Sequence, residues 1–317
     1  MMAIRGFWQW LLLACAVTAA QQALAQAQAY PNRPIRILAG EPGSAPDVSA
    51  RVIAQAISGP LGQQVYVENH PSILTGDLAF HSAPDGYTLL QNGSTHWLSP
   101  FTQKVSWDPL KDFAPITITD RAPAVLVVQP GFAAKTVGDV IAMAKAKPGT
   151  LDYAIASPGG PPHLAGALFK QMTGVDMVAV PYKGGGPAVV ALMGGQVQMM
   201  FAPASAAMSF IKAGRLRAVA VTTPKRFVLM PDVPTVAESG VPGYEVAANF
   251  GLLAPGGVPP AIIKRLNAEV VAALKRPEVR QTFLKSGVEP IGSTPEEFTA
   301  VIKAEMATAG KVMKKAE

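Results

Sequence analysis

Pro34-Ile35-Arg36-Ile37-Leu38-Ala39-Gly40, followed at once by Pro42-Gly43-Ser44-Ala45-Pro46-Asp47, is the stretch that decides the fold. The first part is a short apolar run closed by glycine, the pattern of a buried strand. The second part is turn chemistry that opens a helix. Pro46 suits a first helical turn, where its missing N–H costs nothing. From Val48 to about Ser58, residues Val48, Val52, Ile53 and Ile57 share one helical face. Strand, turn and amphipathic helix in that order make one βα unit.

The same rhythm continues in both directions along the chain. Val65–Asn69 reads as a second strand and Tyr87–Leu90 as a third, with Pro84-Asp85-Gly86 as a turn between them. A βαβαβ series implies a parallel sheet covered by helices on both faces. Ala124–Val128 is a further strand, closed by Gln129-Pro130-Gly131, after which a second βα series begins. Leu151–Ile155, Val178–Pro181, Val197–Phe201 and Leu216–Val221 read as its strands. Tyr244–Leu253 looks extended and returns to the first half, and Ala261–Leu274 and Pro295 to about Met313 are helical. The expectation is an α/β protein of two domains with mostly parallel sheets. Domain 1 comprises 30–128 plus 248–317, and domain 2 comprises 129–247. Two chain crossings make a hinge, and a cleft between such domains is a usual place for a ligand.

Composition narrows the function. The chain has 317 residues, 49% hydrophobic and 15% charged, which excludes a disordered protein. The net charge of +6 is spread singly, with one tight group at Lys311, Lys314 and Lys315. Basic clusters interleaved with aromatics are missing, so nucleic acid is not the expected partner. A mildly positive surface still attracts anionic solutes. Arg5 precedes the apolar run Phe7–Val17, and Ala23-Leu24-Ala25 and Ala27-Gln28-Ala29 fit small-x-small cleavage sites. Residues 1–29 therefore read as a secretory signal peptide cut near 25–29, and the mature chain as a periplasmic monomer. Cys15 is the single cysteine and leaves with that segment. The mature chain then has no disulfide, thiol nucleophile or cysteine metal site.

The sequence carries no G-x-S-x-G, no G-x-x-x-x-G-K-[ST] and no H-E-x-x-H. His70, His81, His96 and His163 show no ligand spacing, so neither a metal nor a cofactor is expected. The informative feature is a set of short polar loops between strands and helices: Gly43-Ser44-Ala45, Gly93-Ser94-Thr95, Ser157-Pro158-Gly159-Gly160 and Lys183-Gly184-Gly185-Gly186. Unpaired N–H groups and the positive end of the helix dipole meet a ligand at such places. Glycine lets the backbone come close. Four loops of this kind, spread over two domains, point to a cleft that receives an anion.

A wider set of motifs resembles one family. These include Tyr30-Pro31-Asn32-Arg33-Pro34, Ala83-Pro84-Asp85-Gly86-Tyr87, Asp108-Pro109-Leu110-Lys111-Asp112-Phe113 and Val180-Pro181-Tyr182-Lys183-Gly184-Gly185. Pro231-Asp232-Val233-Pro234-Thr235 and Phe250-Gly251-Leu252-Leu253-Ala254-Pro255 follow. The chain resembles the Bug-type receptors, the extracytoplasmic binding subunits of tripartite tricarboxylate transporters, over its whole mature length. The resemblance implies a two-domain Venus-flytrap periplasmic binding protein fold, no enzymatic activity, and delivery of a small carboxylate to integral-membrane permease subunits. By position it implies ligand contacts at Gly43, Ser44 and Ala45 and, facing them, at Ser157, Gly159 and Gly160. Thr75, Ser94, Thr95, His163, Lys183, Gly184 and Ala202 complete the candidate set. The family's usual Pro-Gly-Gly loop is Glu41-Pro42-Gly43-Ser44 here, and its Asn-Arg-Pro-Gly-Ala-Gly-Gly segment is Asn69–Thr75. An aspartate common after the strand ending at Phe201 is replaced by Ala202-Pro203-Ala204, which disfavours amino-acid ligands. A dicarboxylate or aromatic carboxylate is the expected solute. A secreted α/β hydrolase-like enzyme and a solute receptor for membrane signalling are the alternatives.

Overall fold

A computed structural model describes residues 30–156 and 160–313. Residues 1–29, read from the sequence as a signal peptide, and Ser157, Gly159, Lys314 and Lys315 lie outside the described residues. The strands are β1 (Ile35–Ala39), β2 (Val65–Asn69), β3 (Thr88–Gly93), β4 (Phe113–Val128), β5 (Asp152–Ile155), β6 (Val178–Pro181), β7 (Met199–Pro203), β8 (Arg217–Val221), β9 (Ala247–Pro255) and β10 (Glu289–Pro290). The helices are α1 (Ala45–Leu61), α2 (Ser72–Phe80), α3 (Ser94–Leu98), α4 (Val137–Ala146), α5 (Pro161–Thr173), α6 (Gly185–Met193), α7 (Ala204–Lys212), α8 (Pro260–Lys275), α9 (Pro277–Lys285) and α10 (Pro295–Met313).

Helix α1 starts where the turn chemistry places it. Ser44 caps it by accepting the Asp47 amide, Pro46 sits in its first turn, and Gly62 ends it at a left-handed φ of 67°. In β1, Ile37 packs under α1 and α8 with Ile53, Leu266 and Val270, while its neighbour Leu38 packs on the opposite side with Trp97, Phe298 and Ile302. Successive side chains leave a strand on opposite faces, so burial of both requires helices on both sides. The second lobe repeats this design. Leu126, Tyr153 and Phe201 meet Phe169 on one face, and Val127, Ala154 and Met200 meet Val189 and Leu192 on the other. Each fully buried Val, Leu, Ile, Met or Phe among these contributes about 1.5–3 kcal/mol.

The strand order runs β2-β1-β3-β9-β4 in the first sheet and β4-β7-β5-β6 in the second, with β10 and β8 also on β4. β4 belongs to both. Its residues 113–123 pair with β9, and 124–128 pair with β7 and β8. Among the named strands, parallel pairing is confined to β1 with β2 and β3, and β5 with β6 and β7. β4 and β9 run antiparallel to their neighbours, so both sheets are mixed rather than mostly parallel. The apolar run Ala124–Val128 is thus the last third of a 16-residue strand. Pro115 and Pro123 interrupt the pattern before it. Pro123 faces Ala247, where the chain crosses back.

Candidate ligand cleft

Strand direction brings the loops together. In the first lobe β4 is antiparallel to β9, which is antiparallel to β3, so β4 runs with β3 and β1. It leaves that lobe past their C-terminal ends. In the second lobe β4 enters antiparallel to β7, and β7 runs with β5 and β6, so their C-terminal ends also face the crossing. Helices α1, α2, α3, α5, α6 and α7 therefore all begin at one seam. Ligands of open α/β sheets bind at such strand ends.

The structure shows what already occupies those ends. The Gly43 amide donates to Asp47 Oδ2 at 2.8 Å, and the Ser44 amide to the Glu41 carbonyl at 3.0 Å. Asp47 Oδ1 accepts from Asn69 Nδ2 at 2.8 Å and pairs with Arg51 Nε at 2.9 Å. Burial pushes its carboxyl upward, but these partners outweigh that and hold it below the usual range. Gly43 and Ala45 are exposed and Ser44 half-buried. Thr75 is buried, and its hydroxyl donates to the Ser72 carbonyl and accepts from Asn92 Nδ2, so it braces the start of α2. At the end of β3, Ser94 is buried and exchanges hydrogen bonds with the Asn249 backbone, while Thr95 is exposed. No side chain caps α3, α5, α6 or α7.

Across the seam, Gly160 is the buried N-cap of α5, and Pro161 and Pro162 follow it without N–H groups. His163 is half-buried, and desolvation holds its imidazole below the usual pKa. Lys183 is exposed. Gly184 adopts φ 100°, and its amide donates to the Ala156 and Tyr182 carbonyls at 3.2 and 2.9 Å. Ala202 corrects the sequence reading. Paired with Val125 in β7, it is fully buried in the second lobe's core, and its methyl packs there instead of facing the seam.

A cavity of about 510 Å³ opens between the lobes beside the crossing strands. Ser94, Leu98, Arg121 and Asn249 line it from the first lobe, Pro161, Leu164 and Leu168 from the second, and Ala304 and Glu305 from α10. Arg121 and Asn249 are register partners on β4 and β9. Arg121 uses Nε on Asn249 Oδ1 at 2.8 Å, and one terminal nitrogen lies 4.0 Å from half-exposed Glu245. Among the described residues its terminal nitrogens make no hydrogen bond. Glu305 accepts from Asn249 Nδ2 and Trp97 Nε1, and burial raises its carboxyl, favouring the neutral form. Sequence reasoning missed Arg121, Asn249 and Glu305. They come from three distant segments, and the one available signal was an arginine inside a strand of alternating Thr and Ile.

Comparisons with known proteins follow this geometry. The sequence model of the family described as "Tripartite tricarboxylate transporter family receptor" matches residues 49–317. Protein BugT of Bordetella pertussis is 35% identical over 296 residues, covering 91% of each chain. A solved structure of R. palustris Rpa4515 with adipate is 32% identical, with a TM-score of 0.73 over 90% of this chain and 98% of that one. MatC of Rhodopseudomonas palustris with bound malate is 28% identical, with a TM-score of 0.71 over 90% and 100%.

Proposed function

Since the chain belongs to the tripartite tricarboxylate transporter receptor family, we propose that it is a periplasmic receptor that captures a small organic carboxylate between its lobes and delivers it to integral-membrane permease subunits. The observation that carries this reading is the guanidinium of Arg121 at the interlobe cavity, with terminal donors that make no hydrogen bond among the described residues. Arginine presents a fixed fork that matches a carboxylate with two parallel N–H···O bonds. The side chain is 20% exposed, so a carboxylate meeting it is largely withdrawn from water. The uncapped start of α3 adds amide donors and the positive end of a short helix at the same wall. Leu98, Leu164, Leu168 and Val246 supply apolar walls for the rest of the solute.

The cavity volume falls in the usual range of about 300–1,000 Å³ for small-molecule sites. Adipate and malate in two related structures support a carboxylate, and a dicarboxylate or aromatic carboxylate fits the space. No described helix is long and apolar enough to cross a membrane. A thermal-shift screen of organic acids tests the reading. A ligand at a hundred times its Kd stabilises the folded state by about 2.7 kcal/mol, which is readable as a higher Tm. If no carboxylate raises the Tm, carboxylate capture is wrong.

A further inference from the structure

The interlobe cavity does not balance its charges once a solute carboxylate enters. Among its described lining residues one cation, Arg121, stands with two carboxyls, Glu245 and Glu305. A carboxylate on the guanidinium makes a third anion around a single positive charge. Glu245 is half-exposed and stays solvated. The Glu305 carboxyl is the desolvated one. Its Oε1 accepts from Asn249 Nδ2, its Oε2 accepts from Trp97 Nε1 at 2.6 Å, and it also bonds the Ser94 hydroxyl. Desolvation raises it, against those hydrogen bonds and the Arg121 charge. A solute that neutralises Arg121 cancels one of the influences that keep the proton off.

Ser94 lets the neutral form fit as well. Indole and amide nitrogens only donate, so neither Trp97 nor Asn249 Nδ2 can receive a proton from Glu305. The Ser94 hydroxyl can. Its oxygen accepts the Asn249 amide at 3.1 Å, and its own proton has the Asn249 carbonyl at 3.4 Å as an alternative partner. Turning that one hydroxyl serves a charged or a neutral Glu305 on the same backbone. Other titratable groups on the elements packed against α10 are engaged elsewhere. Asp120 of β4 bonds Thr119 and Ser49, the His96 ring of α3 stacks on Trp107, and Lys170 of α5 pairs with Asp176. His163 lies half-buried at the start of α5, and Lys303 and Lys311 on α10 itself are exposed.

We propose that Glu305 is a proton site coupled to the carboxylate site, so that this receptor takes up a proton together with its solute. This rests on the carboxylate reading above and adds the control of that site by pH. The sign follows from linkage. Binding favours the protonated carboxyl, so carboxylate affinity falls as pH rises through the window in which Glu305 gains its proton on binding.

Calorimetric titration of the full mature chain with malate, adipate and benzoate tests this, in buffers of different ionisation enthalpy at about pH 6.5, 7.5 and 8.5. The acids are themselves almost fully ionised there, so a proton taken up belongs to the protein. The wild-type protein takes up about 0.5–1 proton per solute at one or more of these pH values, and its affinity falls by up to about tenfold per pH unit in the same range. Infrared difference spectra of the same complex gain the carbonyl band of a neutral carboxylic acid. Glu305→Gln binds without proton uptake, and its affinity no longer changes with pH. Wild-type uptake below about 0.2 proton at all three pH values, no neutral-acid band, or full uptake retained by Glu305→Gln overturns the proton site while carboxylate capture stands. The infrared reading needs no variant, so it decides even where the glutamine protein fails to fold or bind. Failure of the wild type to bind any of the three acids overturns both.

Discussion

Arg121 and Asn249 stand opposite each other on the two crossing strands, and the guanidinium Nε donates to the Asn249 side-chain carbonyl at 2.8 Å. The amide end of Asn249 continues the link to Glu305 on α10, whose other oxygen holds the indole of Trp97. One chain of polar contacts therefore runs from the seam to the last helix. It fixes the arginine's plane before any ligand arrives, which is what bidentate recognition requires.

Replacing Arg121 by Met removes the fork and keeps most of the packing. Carboxylate affinity falls by about 10- to 100-fold, while stability falls by about 1–2 kcal/mol because the buried Asn249 Oδ1 loses its donor. Titration calorimetry and urea unfolding of the same preparation separate the two effects. A large stability loss with unchanged affinity would assign Arg121 a purely structural role.

Glu305→Ala strands two buried donors, the fully buried indole of Trp97 and the amide of Asn249. The expected cost is about 2–4 kcal/mol in urea unfolding. Glu305→Gln keeps one acceptor and loses less. An alanine variant as stable as the wild type would show that water satisfies both donors.

Asp120 is buried in the first lobe, where its Oδ1 accepts from the Thr119 hydroxyl. Burial, against hydrogen bonds from Thr119 and Ser49, pushes its carboxyl up to about 7. Between that value and the unfolded value near 4, the folded state keeps a proton that the unfolded chain releases. Stability therefore falls as pH rises through this window, by roughly 2–3 kcal/mol between pH 5 and pH 8 from this group. His96 has the opposite sign. Burial holds its imidazole at about 3, so stability falls as pH drops below 6.5. Urea unfolding of Asp120→Asn across pH 5–8 loses the first slope. An unchanged slope would refute the assignment.

Gly251 in β9 lies under Phe298 of α10, and a Cβ there would strike the ring and sit 3.0 Å from the Thr117 carbonyl. Gly251→Ala is expected to destabilise by about 2–4 kcal/mol, because neither ring nor strand can yield without displacing α10. A Tm within about one degree of wild type would show that the helix gives way freely.

The first βα unit was legible because an apolar strand, a proline–glycine turn and a 3.6-residue stripe all agree locally. The first two-thirds of β4 was not, since Pro115, Pro123 and the polar Thr117, Thr119 and Asp120 hide a long strand whose pairing is antiparallel and remote. Helices α3, α7 and α9 were missed as well. The loops at the seam were visible as composition, but not the fate of their amides. That Asp47 would take Gly43, that Glu41 would reach Ser72, and that Ala202 would turn into the core are tertiary facts. Arg121 became a candidate only when β9 and α10 were placed beside it.

Pro123 brings no N–H to the ladder at the point where β4 passes between the sheets. The rung facing Ala247 is therefore short of a donor where the chain changes sheets. A ribbon weakened along one line bends there like creased card. If the proposed receptor closes on its solute, the motion is expected to concentrate in a few backbone torsions there and to leave the packed interiors on either side unchanged.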